Sequence, residues 1–231
     1  MTNLEQEIEI LKANLLDMTS LVISQLIKCK EATINSDVEL AAEIVSNDKR
    51  VNAMELKIDK DCENMLALYS PVATDLRFVL ATLKINHDLE RIGDNAESMA
   101  ELVTTRVEES NKKFLDKYLI DEMFDTAISM LDDVYEAIEN EDTKLARQIV
   151  KKDRFLNECN LKAPSVAVQL IKDNPDDAEM ILALFSIVRK LERVGDLTKN
   201  LGEEVIFHIE AKVMKHRKEQ KKMKKEGKLD L

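Results

Sequence analysis

The hexad Leu-Glu-Arg-x-Gly-Asp occurs twice in this chain, at residues 89–94 and 191–196, each time within a stretch of helical periodicity. The likeness spreads well beyond the hexad. Residues 137–157 align with 32–52 at an offset of 105, which puts Asp142 on Asp37, Ile149 on Ile44, Asp153 on Asp48 and Asn157 on Asn52. Further on the offset is 102, with Asp177 on Asp75, Glu192 on Glu90 and Asp196 on Asp94, so three residues are lost between the two alignments. A chain of 231 residues with such self-similarity is built from two copies of one unit of about 100 residues.

The unit is helical. Leu4, Ile8, Leu11, Leu15, Met18, Val22, Leu26 and Cys29 recur every three or four residues, the mark of one long amphipathic helix. Asn35, Ser36 and Asp37 interrupt it and supply a cap for the next helix. That second helix is expected from Val38 to Tyr69, with Ile44, Val51, Met54, Ile58, Cys62 and Met65 inward. The run SPVATD at 70–75 stops it, and a third helix follows from about Asp75 to Glu108. Short connections between long helices make antiparallel neighbours. Pro164 is expected to kink the matching second helix of the later copy. The polar run EESNKK at 108–113 is the expected divide. The expected fold is all-α: two tandem three-helix bundles, 1–109 and 110–231, with six long antiparallel helices related by a pseudo-twofold axis.

With no Trp and ten Met, the core should be aliphatic with Met filling gaps. A net charge of −11 argues against nucleic-acid binding. The charge is uneven, because residues 212–231 hold nine basic and three acidic side chains. That basic end reads as a solvated helix terminus, with contact to an anionic membrane surface as the weaker option. Cys29, Cys62 and Cys159 form no paired framework and read as small buried hydrophobes in a reducing compartment. The acidic start MTNLEQEIEI is unlike a signal peptide, and the apolar stretch Met180–Val188 is too short for a bilayer, so a cytoplasmic location is expected.

A glycine in a helix interior costs about 1 kcal/mol, and acids four apart on one face repel. Both occur in each hexad. In the third helix Glu90, Asp94, Glu97 and Glu101 are spaced 4, 3 and 4, and in the second helix Asp48, Asn52, Glu55 and Asp59 repeat that spacing. If the helices pack antiparallel the two stripes face each other across one seam, where oxygen-only ligation suits Mg, Mn, Ca or iron. The later copy is thinner: Asp153, Asn157, Glu192, Asp196 and Glu203 remain, but Lys199 stands where Glu97 was and Asn160 where Glu55 was. A second metal site there is expected to be weaker. Gly93 and Gly195 have two readings: room for an ion, or room for a neighbouring helix. Arg91 and Arg193 are expected to pair with acids of the bundle. His87 precedes Glu90 in the reverse of the Glu-x-x-His order used by di-iron bundles, and its counterpart is Arg189.

ATDLRFVLATLKINHDLERIGDNAESMAE at 73–101 resembles the third-helix signature of the PhoU family, and FSIVRKLERVGDLTKNLGEEVIF at 185–207 resembles its second copy. The resemblance covers nearly the whole chain as two tandem repeats. It implies two three-helix bundles with paired acidic motifs that bind metal: Asp48 and Asn52 with Glu90 and Asp94, then Asp153 and Asn157 with Glu192 and Asp196. Glu55 and Glu97 extend the first set. Iron, manganese, magnesium or zinc are the expected ions. Asn at 52 and 157, where the motif can carry an acid, and Glu179 opposite Arg77 are departures from the pattern. The resemblance also implies a non-enzymatic regulator that restrains phosphate uptake and the phosphate-starvation response. It would act as an adaptor between the ATPase of a phosphate ABC transporter and a sensor histidine kinase, as a homodimer reaching the membrane only through partners. An accessory subunit of a secondary phosphate permease is the alternative. A metalloenzyme and a metal-free helical scaffold are weaker readings, and no residue stands out as a nucleophile.

Overall fold

Thr2 starts the first helix through a reciprocal capping box with Glu5, and Asp37 and Asp142 start the second helix of each copy in the same way as each other. The Asp37 carboxylate accepts from the Leu40 N–H, and that of Asp142 from the N–H groups of Lys144 and Leu145. The computed structural model describes residues 2–106 and 112–212. They form α1 (Asn3–Asn35), α2 (Val38–Tyr69), α3 (Ala73–Arg106), α4 (Lys112–Tyr118), α5 (Ile120–Glu139), α6 (Thr143–Asp173), a 3-10 turn at Pro175–Asp177, and α7 (Ala178–Glu210). No strand occurs among the described residues. Most of the EESNKK run and of the basic end lies outside them.

Six long helices were expected, and the described residues hold a seventh, short one. The break is at Leu119, whose φ of 57° is left-handed. Its cause is a phase slip. Phe114, Leu115 and Tyr118 are buried, and so are Ile120, Met123 and Phe124, yet the step from 118 to 120 does not fit one helical face. A single left-handed residue resets the phase and lets both sets reach the core. By contrast, α6 runs unbroken through Pro164, which is exposed.

Within each copy the helices pack antiparallel. Asn14 of α1 meets Asp61 of α2, and Asn86 of α3 meets Glu55 and Asp59 of α2. The copies are joined by like against like. Helix α1 lies along α5, with Lys30 paired to Asp121 at 2.7 Å, and α3 lies along α7, with Lys84 paired to Glu204 at 3.0 Å. Helices α2 and α6 flank this central four, so one continuous core runs from Leu11 to Ile206. It is aliphatic and Met-rich as expected, with Met18, Met99, Met123 and Met130 fully enclosed. All three cysteines are unpaired and buried, and burial pushes the Cys29 and Cys62 thiols up to about 12. Helix α1 carries an 18-residue window of mean hydropathy 1.3, long and apolar enough to cross a bilayer on length and composition alone. In the fold its apolar face is covered by α2, α3 and α5.

The α3–α7 contact also explains why the copies diverge at Arg77 and Glu179. Arg77 donates to the His208 carbonyl at one end of the pair, and Glu179 takes Arg106 at the other. The His208 ring packs against Phe78 at a tilt of 59°, with ring centroids 5.1 Å apart. Burial lowers its pKa, with Arg77 and Lys12 adding to the effect against the pull of Glu141. The unfolded chain therefore takes up the proton first, near its ordinary pKa of about 6.5. Stability is full above that value and falls as pH drops through it toward the lower folded pKa. Urea midpoints at about pH 7.5 and about pH 5.5 should show a smaller acid loss in His208→Phe than in the wild type.

Candidate metal centre

Helices α2 and α3 meet at Gly93, and α6 and α7 meet at Gly195. A Cβ on Gly93 would stand 3.1 Å from Val51 Cγ1 and 3.6 Å from Asp48 Oδ1. One on Gly195 would stand 2.5 Å from Leu156 Cδ1 and 3.2 Å from Asp153 Oδ1. A side chain at Gly195 would displace Leu156 and one at Gly93 would press on Val51, and this close helix approach carries a buried aspartate from the flanking helix against each glycine. Asp48 and Asp153 are only 4% and 6% exposed.

At the first seam two groups of ligand-type side chains converge, with donor atoms in each lying within 4.8 Å of one another: Asp48 with Asp94 and Glu97, and Glu55 with His87 and Glu90. Asn52 donates from Nδ2 to Asp48 Oδ2 at 2.8 Å and so orients it. Asp48 Oδ1 and Asn52 Oδ1 are buried with no hydrogen-bond donor. Buried oxygens seldom go unpaired, and five carboxylates, with Asp48 Oδ1 and Asn52 Oδ1 lacking donors, suit a hard or borderline cation. Burial pushes the Asp48, Glu90 and Glu97 carboxyls above their ordinary range. Neighbouring charge adds to this: Asp94 for Asp48, Asp94 and Glu55 for Glu90, and Asp48, Glu101 and Asp94 for Glu97.

Two members of the spacing pattern leave the cluster. Asp59 accepts from Asn86 Nδ2 at 2.9 Å, and Glu101 is exposed beside an open cavity of 830 Å³. His87 joins the cluster, with Nδ1 3.7 Å from Glu55 Oε1. Its place three residues before Glu90 was visible in the sequence, but its distance from Glu55 depends on the packing of α2 on α3. Arg91 pairs with Asp88 at 3.2 Å.

The second seam brings together Asp153, Asn157, Glu192 and Asp196, and it holds a cation of its own. Lys199 Nζ donates to Asp153 Oδ2 at 3.1 Å and also contacts Asp196 Oδ1. Burial opposes the Lys199 charge, but the hydrogen bond to Asp196 and the pull of Asp153 outweigh it and raise the ammonium pKa. Asn157 donates to Asp153 Oδ2 at 2.9 Å, as Asn52 does to Asp48. Glu192 is pushed up by burial and then by Asp196, against a hydrogen bond from Asn160. This donor set does not fit a metal ion while the ammonium stands between its carboxylates.

A carboxyl held above its unfolded pKa binds its proton more tightly in the fold, so the metal-free first seam gains stability as pH falls from neutral through that raised pKa. Glu97→Gln should raise the Tm of chelator-treated protein at neutral pH, flatten this part of the profile and shrink any Tm gain from added Mn2+. Gly195→Ala forces Leu156 to move. Overpacking costs about 1–3 kcal/mol and the better helix former returns about 1, so a net loss of about 1 kcal/mol is expected in urea titration.

The family model described as the PhoU domain matches this chain twice, over residues 15–103 and 120–205. The phosphate-specific transport system accessory protein PhoU homolog 1 of Thermotoga maritima is 33% identical over 211 residues, covering 91% of this chain and 90% of that protein. The phosphate-specific transport system accessory protein PhoU of Escherichia coli is 28% identical, covering 91% of this chain and 86% of its own. The crystal structure of PhoU from Pseudomonas aeruginosa superposes with a TM-score of 0.84 at 28% identity, covering 90% of this chain and 99% of that one. With the family's domain matched on both copies of the repeat and its relatives similar along nearly their whole length, the chain belongs to the PhoU family.

Proposed function

We propose that this protein serves phosphate transport as a negative regulator of phosphate uptake and of the phosphate-starvation response. The likeness to phosphate-specific transport system accessory proteins along 91% of the chain carries this reading. The protein acts without turnover, as an adaptor between the ATPase of a phosphate ABC transporter and a sensor histidine kinase. It works in the cytoplasm as a homodimer and reaches the membrane through those partners.

The first seam is the element that tunes the adaptor. Asp48, Asp94 and Glu97 form one ligand group, and Glu55, His87 and Glu90 the other, with Asn52 holding Asp48 in place. A bound iron, manganese, magnesium or zinc ion supplies the positive charge that these crowded carboxylates lack. These ligands come from α2 and α3, so binding fixes one helix against the other and sets the outer face that partners meet. His87 is mostly exposed, so this ligand group reaches solvent at the seam's edge.

The test is affinity capture of the tagged protein from phosphate-replete cells, with membranes solubilised and no chelator present, read by mass spectrometry. Recovery of a phosphate ABC transporter ATPase together with a sensor kinase is expected. Recovery of a secondary phosphate permease alone overturns the adaptor and favours the permease-accessory reading; recovery of no phosphate-related partner overturns both.

A further inference from the structure

We infer that Lys199 is the resident cation of the second seam, an ammonium built into the chain that keeps metal ions out of that half. Calling it a substitute for a metal rests on the metal reading of the first seam; the exclusion of metal from the second does not.

Three ligand-type positions of the first seam change in the second, all in one direction. Glu97 becomes Lys199, Glu55 becomes Asn160, and His87 becomes Arg189. The framework around them is kept: Asp48 matches Asp153, Asn52 matches Asn157, Glu90 matches Glu192, Gly93 matches Gly195 and Asp94 matches Asp196. The second seam is therefore the same cradle with a positive charge carried on one of its own side chains. Lys199 is spaced three residues from Asp196 on α7 and reaches Asp153 on α6, so its ammonium bridges the two helices.

The Asp153 end of the bridge is enclosed, while Asp196 is half exposed. The Asp153 side chain is 8% exposed and that of Lys199 26%, so the Lys199–Asp153 pair is no solvent-screened surface pair. An ammonium has three donors and a compact charge. Here two of the donors meet the carboxylates that a second-seam metal would need. Asp153 Oδ1 keeps no hydrogen-bond donor, as Asp48 Oδ1 keeps none, so removing the lysine leaves a buried carboxylate group ready to take another cation. The consequence is an asymmetric regulator. Its first half responds to metal supply, and its second half is held closed whatever the metal supply.

The test measures bound Mn2+ by equilibrium dialysis and elemental analysis on the chelator-stripped full-length protein. The variants are Lys199→Glu, Lys199→Gln, Asp196→Asn, Asp48→Asn and the double variant Lys199→Glu/Asp196→Asn. Bound Mn2+ should rise above wild type in Lys199→Glu and, by less, in Lys199→Gln, and the rise should vanish in the double variant. Lys199→Glu should also melt below wild type in chelator and recover with Mn2+, while Asp196→Asn alone should leave bound Mn2+ at the wild-type level. Circular dichroism checks that each variant is folded, and Lys199→Gln keeps the test open if Lys199→Glu is not. No gain in the folded Lys199 variants overturns the inference, as does loss of wild-type Mn2+ in Asp196→Asn. Mn2+ that binds wild type but is indifferent to Asp48→Asn counts against the first-seam reading. A wild type that binds no Mn2+, beside a Lys199→Glu that does, removes the first-seam reading and leaves this one standing.

Discussion

The close approach of helices at Gly93 and Gly195 is the constraint on which the rest of the molecule turns. Without a side chain at these positions, α3 settles on Val51 and α7 on Leu156, and the flanking aspartates are carried into contact with the facing helix. The same contact that fills the core thus seats Asp48 and Asp153 where water hardly reaches them. Desolvation of Asp48, Glu90 and Glu97 and the repulsion of Asp48 and Glu55 against the α3 acids follow from it. A helix pair that drew apart would relieve these costs and lose its core packing. The packing sets the geometry, and the electrostatics must adapt to it.

The adaptation differs between the halves. In the first, the ligand-type groups Asp48, Asp94 and Glu97 gather, and the buried Asp48 Oδ1 and Asn52 Oδ1 lack donors. In the second, Lys199 answers the same need from within the chain. The two copies keep one framework, and three changed positions, Glu55 to Asn160, His87 to Arg189 and Glu97 to Lys199, separate their chemistry.

Joining the halves edge to edge has its own consequence. Because α1 lies on α5 and α3 on α7, the four central helices are buried on several sides, while α2 and α6 keep an outer face. The acidic seams lie along those flanking helices. The arrangement keeps ligand groups near the surface while the α3–α7 contact, with Lys84 on Glu204 and Arg77 on the His208 carbonyl, ties one half to the other.

The duplication, the helical class, the capping aspartates Asp37 and Asp142, and the inward face of α2 were all legible in the sequence, because each depends on local spacing or on a residue's own backbone preference. The stripes of Asp48, Asn52 and Glu55 and of Glu90, Asp94 and Glu97 were legible for the same reason. The break at Leu119 was written as a slip in apolar phase between Tyr118 and Ile120, a signal too short to stand out from helical periodicity. What only the tertiary structure decided is which groups meet across helices: His87 with Glu55, Asp59 with Asn86, and Lys199 with Asp153. Spacing fixes the face on which a side chain lies, but distance between two faces is set by how closely the backbones approach. That approach is decided by the fit of Gly93 on Val51 and Gly195 on Leu156, which no single helix contains.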